Sequence, residues 1–252
     1  MNKNEYLERI NYSGDLSPSL EVLRKLQKTH VLNVAFENLD IHFGNTIELD
    51  TNKIFKKISS NNRGGFCYEL NGLFYELLTL IGFKTKRISA RVYNKDKGYG
   101  QEYDHLAVII TIEGIEYLSD VGFGEFSFGP LQIEEGKIQM DERGHYLIEK
   151  HDHEYLRVSK LENGISIPEY IFKNIHRELN EFEGMCMYHQ SSPDSHFTQK
   201  KLISIPTEKG RITLTDVSLK IRSNDSVNEI KLKDEAEFNK KLLSYFSIER
   251  EY

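Results

Sequence analysis

Cysteine is scarce: only Cys67 and Cys186 occur among 252 residues, more than a hundred positions apart and in no Cys-x-x-Cys spacing. Neither a disulfide framework nor a thiolate zinc site is supported, so each thiol must be judged alone. Long apolar runs are missing too. No stretch approaches the ~20 residues a bilayer demands, and the opening MNKNEYLERI holds no apolar signal-peptide region. A cytoplasmic chain with reduced thiols and no membrane partner is expected. Nor is there an excess of positive charge, since 33 Lys and Arg against 39 Asp and Glu leave a formal charge of −6. That argues against nucleic acid and requires any anionic ligand to find locally gathered Lys or Arg. What the chain does have is a globular balance: 38% hydrophobic residues, with 14 Phe and 14 Tyr, can build a core. The length admits one domain or two.

Residues 1–83 read as mostly helical. Leu20, Leu23, Leu26, Val31, Val34 and Ala35 recur at roughly helical spacing after Ser17-Pro18, and Asp50 caps a second segment reaching Ser59. The clearest helix follows Arg63-Gly64-Gly65: Leu70, Leu73, Phe74, Leu77, Leu78 and Ile81 keep one stripe until Gly82 stops it. From Lys84 the period changes to two, with strand-like runs at 87–93, 106–112, 115–121, 144–148 and 155–159, the pattern of an antiparallel barrel or sandwich. Residues 168–182 are expected to form a helix from Ile171, Phe172, Ile175 and Leu179. Strands resume at 201–205, 211–216 and 219–222, and 235–246 closes the chain as an amphipathic helix.

Cys67 stands three residues before Leu70, on the core stripe and in the first turn of its helix. Free backbone N–H groups and the positive end of the macrodipole there favour thiolate, and Arg63 is expected to add to that. Gly64 and Gly65 suit a sharp turn and close approach of a substrate to the backbone. A cysteine in that place also simply packs, as most buried cysteines do.

A nucleophilic thiolate needs a base, and the base an orienting group. Glu113-Gly114 suits a two-residue hairpin turn, which sets Ile112 opposite Ile115 and Ala107 opposite Asp120. His105 shares Ala107's face, so His105 and Asp120 become diagonal neighbours within reach of an imidazole–carboxylate bond. A one-residue slip would send Asp120 to the other face. Glu102 and Asp104 are nearer in sequence, but Asp104 points away from His105's face and ranks below Asp120 as the orienter.

These residues also carry a resemblance. Arg63-Gly64-Gly65-Phe66-Cys67-Tyr68-Glu69-Leu70-Asn71, with Phe36-Glu37-Asn38-Leu39-Asp40 before it, Asp104-His105-Leu106 and Asp120-Val121-Gly122-Phe123-Gly124 after it, and Ser191 to Phe197 further on, resembles the arylamine N-acetyltransferase family over nearly the whole chain. One departure is Ala35, where many relatives have Pro. The resemblance implies an α+β fold around a cysteine-protease-like Cys-His-Asp core: a helical bundle (1–83) carrying Cys67, a central antiparallel β-barrel (84–190) carrying His105 and Asp120, and a C-terminal α/β lid (191–252). It implies catalytic roles for Cys67, His105 and Asp120, an acceptor pocket lined by Phe36 and Phe123, and acetyl-CoA as co-substrate, its pantetheine arm given room by the glycines, Gly124 among them. It further implies transfer of acetyl to xenobiotic arylamines or arylhydrazines through an acetyl-cysteine intermediate. A related acyltransferase or amide synthase with another acyl-CoA, a cysteine hydrolase, and a binding module with an inactive thiol are the alternatives.

Other features read as structural. Gly122-Phe123-Gly124 lacks the spacing of a dinucleotide fingerprint. His145, His151 and His153 belong to an exposed hairpin tip, so no metal is expected. Lys200 and Lys201 read as a solvated pair, and Cys186, with no neighbouring base, as packing.

Overall fold

The structure, a computed structural model, describes residues 1–224 and 226–249; the last three residues of the expected lid lie outside it. Its helical part runs α1 (Lys3–Arg9), α2 (Leu20–Asn33), a short strand β1 (Phe36–Glu37), α3 (Leu39–Phe43), α4 (Thr51–Phe55, continued by a wider turn at Lys56–Ser60) and α5 (Cys67–Ile81). Local sequence explains the starts. Asn2, Ser19 and Asp50 each accept backbone N–H groups of the following turn, which leaves fewer orphan donors. Gly82, at φ 105°, ends α5 as expected. α2 stops short of Val34 and Ala35 because the chain there turns extended to enter β1, which pairs with a distant strand.

Strands come next: β2 (Lys84–Asn94), β3 (Gly98–Tyr99), β4 (His105–Ile112), β5 (Ile115–Ser119), β6 (Leu131–Gln132), β7 (Ile138–Asp141), β8 (Gly144–Lys150), β9 (Leu156–Glu162) and β10 (Ile165–Phe172). They form one antiparallel sheet in the order β6-β5-β4-β2-β10-β9-β8-β7, with β3 on β2. Side chains draw the two ends together into a nearly closed barrel: Gln139 on β7 bonds both the N–H and the carbonyl of Gln132 on β6. The β4–β5 hairpin turns through Glu113 (φ 51°) and Gly114 (φ 82°), and pairs Ile112 with Ile115 and Val108 with Ser119, the register expected from the sequence.

The expected helix over 168–182 is wrong. Residues 165–172 are a strand hydrogen-bonded on both sides, with Tyr170 and Phe172 turned into the barrel and Pro168 beside a bulge that spares its missing N–H. Ile175 is exposed, so the apparent stripe joined residues of unrelated environments, and only Leu179–Phe182 turn helically. The chain continues through α6 (Glu183–Ser191) and α7 (His196–Gln199), then β11 (Leu202–Thr207), β12 (Gly210–Thr215), β13 (Ser218–Ser223), β14 (Ser226–Lys231) and α8 (Glu235–Phe246). α6 was not expected; Cys186 and His189 are buried while Met187 and Tyr188 are exposed, so no clean stripe announces it. β14, exposed along almost its whole length, lacks an apolar face for alternation to reveal.

Three cores result. One joins the helices to Leu106, Val108 and Ile110 of β4, the second fills the barrel around Ala107 and Ile109, and the third lies between β11–β13 and α8. β4 is therefore buried on both faces, and His105 stands at its end on the barrel-facing parity. No helix among the described residues is long and apolar enough to cross a membrane.

Candidate active site

Cys67 is fixed by the loop before it. Gly65 bridges to β1, accepting from the Glu37 N–H at 2.9 Å and donating to the Ala35 carbonyl at 3.3 Å. A Cβ on Gly64 would stand 2.1 Å from the Ala35 oxygen, and one on Gly65 2.9 Å from the Glu69 Cβ. Gly64 thus lets chain pack on chain and Gly65 leaves room for the Glu69 side chain; neither lines the cavity that holds Cys67, contrary to the expectation of substrate approach. Glu69 accepts the Phe66 N–H at 3.0 Å and is held by Lys57 at 2.8 Å, which ties off the helix start. Arg63 does not act on the thiol: it is spent on Glu37 and Asp40, 2.8 and 3.0 Å away.

The thiol itself is buried, at 4% exposure. Burial pushes its pKa well up, a Leu106 backbone N–H opposes this, and the carboxylates of Asp120 and Asp104 push it further. Burial, the largest of these, acts against the lowering expected from the helix end. A bare thiolate is disfavoured here, and deprotonation calls for a nearby group to take the proton.

His105 lines the same cavity as Cys67. Its Nε2 lies 2.6 Å from Asp120 Oδ2, and a carboxylate there fixes the proton on Nε2, leaving Nδ1 as the acceptor of the neutral ring. Asp120, 1% exposed, gathers three further donors: Asn71 Nδ2 (2.8 Å) and the Gly122 N–H (2.9 Å) on Oδ1, and the Tyr170 hydroxyl (3.1 Å) on Oδ2. Four partners thus occupy both oxygens of a buried carboxylate. Asn71 also donates to the Leu106 carbonyl at 2.6 Å and accepts from the Val121 N–H at 2.9 Å, clamping α5 to both strands of the hairpin. Neither Asn71 nor Tyr170 was assigned a role from sequence. A lone amide four residues after Cys67, amid Leu70, Leu73 and Phe74, was the available signal for Asn71; Tyr170 was hidden in the misread helix.

Gly122 brings the strand end against α5. A Cβ there would meet Cys67 Cα and Asn71 Nδ2 at 2.8 Å each. Its missing side chain makes room for the helix, not for a pantetheine arm. Gly124 does face open space, with nothing within 4 Å of its would-be Cβ.

Cys67 and His105 share a cavity of about 640 Å³ whose wall includes Phe36, Phe123, Gly124 and Phe197. Phe123 packs edge-on against the His105 ring at 5.2 Å, and Phe36 lies 6.0 Å from Phe197. Lys201 is not solvated: it pairs with Glu235 and lies over the Phe238 ring. His151 and His153 fall between β8 and β9, outside the cavity, and among the described residues no three His, Cys, Asp or Glu gather as a metal site. Cys186 is buried beside Gln190, its thiol pushed up to about 12 chiefly by burial.

A profile of the family described as N-acetyltransferase matches residues 19–251. Arylamine N-acetyltransferase 1 of Homo sapiens is 33% identical over 273 residues, spanning 98% of this chain and 94% of that protein. The solved arylamine N-acetyltransferase of Mycobacterium marinum superposes with a TM-score of 0.89 at 29% identity, over 98% of this chain and 93% of that one, and has also been solved in complex with CoA. The Bacillus cereus enzyme, described as having a Cys-His-Glu catalytic triad, superposes with a TM-score of 0.89 at 26% identity, over 98% of both chains.

Proposed function

The chain belongs to the arylamine N-acetyltransferase family, and we propose on that premise that it transfers acetyl from acetyl-CoA to the nitrogen of arylamines or arylhydrazines in two displacements at Cys67. The observation that carries the assignment of roles is the buried 2.6 Å bond between His105 and Asp120 on the cavity that also exposes Cys67. In the first step Cys67 Sγ bonds the thioester carbonyl carbon while its proton passes to His105 Nδ1. Because burial opposes a bare thiolate, transfer to an imidazole steadied by Asp120 is what makes the sulfur nucleophilic. The oxyanion is met by backbone N–H groups at the very start of α5, ahead of those of Glu69 and Leu70, which already donate to the Phe66 carbonyl, at about 3 kcal/mol per well-placed donor. Its collapse breaks the bond to CoA sulfur, which leaves with the proton from His105. In the second step the amine bonds the same carbonyl carbon, His105 takes the amine proton, and the Cys67–carbon bond breaks to return the thiol.

Phe36 and Phe123 offer the acceptor's ring flat apolar walls, and Gly124 leaves space beside them for the donor arm. No step needs a metal. A cytoplasmic location belongs to the same proposal, since a reducing compartment keeps Cys67 a free thiol. Incubation with acetyl-CoA alone, followed by mass analysis of the Cys67 peptide and then by addition of an aniline, tests the reading. One acetyl group gained on Cys67 and lost to the aniline is expected; acetyl transfer undiminished in Cys67→Ala would sink it.

A further inference from the structure

The C-terminal sheet turns one face toward the cavity. Phe36 pairs with Ser204 and Ser204 with Thr213, so their side chains form a row across β1, β11 and β12. Arg211, two residues before Thr213, shares that face, and all four residues line the cavity. Arg211 is 8% exposed. Its Nη1 donates to Ser204 Oγ at 2.8 Å and its Nη2 to the Gly124 carbonyl. Its Nε has no hydrogen-bond acceptor; Glu125 Oε1 stands 3.9 Å off, bonded instead to Arg222.

A buried guanidinium held by one hydroxyl and one carbonyl is short of negative charge. Burial, with Arg143 and Arg222 adding like charge, brings its pKa down to about 10, Glu125 resisting, so it remains a cation at neutral pH. Gly124 links this cation to the reacting groups: its carbonyl takes Arg211, and its neighbour Phe123 packs on His105.

We infer that Arg211 is a specificity-determining residue that receives an anionic oxygen substituent, such as a carboxylate, on the ring of the acceptor. The inference rests on the acetyl-transfer reading above. The amine meets the acyl group on Cys67, the ring lies along Phe36 and Phe123, and the acid reaches the patch of Arg211, Ser204 and Thr213. CoA phosphates carry the same chemistry, but they are strongly hydrated and suit an exposed cation, such as Lys97 on the same cavity. A single guanidinium more than nine-tenths buried suits a lone carboxylate.

The test compares 4-aminobenzoate with the neutral, near-isosteric 4-aminobenzamide. The wild type should favour the acid in kcat/KM; Arg211→Gln should lower that preference by about tenfold or more, and Arg211→Lys should restore part of it. A merely structural role lowers both acceptors together and leaves their ratio, which overturns the inference. A rise confined to the KM for acetyl-CoA, absent with a short acetyl thioester that lacks phosphates, assigns the anion to the donor and also overturns it. In the wild type, without any substitution, benzoate should compete with 4-aminobenzamide about tenfold more tightly than benzamide does; equal competition counts against the inference even where the variants fail to fold. Absence of transfer to either acceptor overturns the functional reading, and the inference with it.

Discussion

Replacing Asp120 by Asn keeps the shape of the side chain and removes its charge, and the four donors around it determine how the amide must sit. Oδ1 accepts Asn71 Nδ2 at 2.8 Å and the Gly122 N–H at 2.9 Å; Oδ2 accepts His105 Nε2 at 2.6 Å and the Tyr170 hydroxyl at 3.1 Å. An amide NH2 turned toward Asn71 and Gly122 would face two donors, one a backbone N–H that is not free to move. The amide oxygen is therefore forced to that side, and its NH2 is presented to His105 and Tyr170. The tyrosine hydroxyl can rotate to accept. His105 accepts only by moving its proton to Nδ1, the nitrogen that must take the Cys67 proton. The wrong tautomer, with the loss of charge stabilising the imidazolium, should slow acetylation of Cys67 by about 10³ to 10⁴ fold, or about 4 to 5.5 kcal/mol of activation free energy. Single-turnover acetylation of Cys67 measures this, and the nitrogen chemical shifts of His105 report the tautomer directly. An Asp120→Asn enzyme within about tenfold of wild type, or one still protonated on Nε2, would refute the reasoning.

Gly122→Ala should both destabilise the protein, by about 1 to 3 kcal/mol, and slow acetylation, because its new methyl meets Cys67 Cα and Asn71 Nδ2 at 2.8 Å; Gly124→Ala, facing open space, should change the melting temperature far less. Glu169, at the bulge of β10, has its carboxyl pushed up to about 7, chiefly by burial, with Glu162, Glu125 and Asp120 adding and Lys160 opposing. A carboxyl whose folded pKa is raised favours the fold while it stays protonated, in full below its unfolded value near ~4.3. That advantage is lost as pH rises through about 7. Thermal melts should accordingly show Glu169→Gln gaining on wild type between pH 5 and pH 8; a constant difference across that range would contradict the shift.

The parts of the site legible in sequence are those set by local rules. The apolar stripe of α5 and Gly82 fixed where Cys67 stands in its helix. The Glu113-Gly114 turn fixed the hairpin register, which brought His105 to Asp120. What stayed hidden depends on distant packing. Tyr170 reaches Asp120 from a strand whose residues mimicked a helical spacing, and Arg211 reaches Gly124 from 87 positions along the chain. The glycines were legible as necessary but not as to why: Gly64 and Gly122 are filled by neighbouring backbone, a fact of tertiary approach. The surroundings of the thiol were hidden for the same reason. A helix start favours thiolate, but burial and two carboxylates brought in by other segments push the other way.

Acetylation of Cys67 with the help of His105 is read by rapid-quench mass analysis of the Cys67 peptide after mixing with acetyl-CoA, in wild type and His105→Ala at pH 7. One acetyl group should appear on wild-type Cys67 within the time of a turnover, be discharged by an arylamine, and form far more slowly without the imidazole. Acetylation that proceeds as fast in His105→Ala, or that falls on Cys186 in place of Cys67, would rule out these roles for Cys67 and His105.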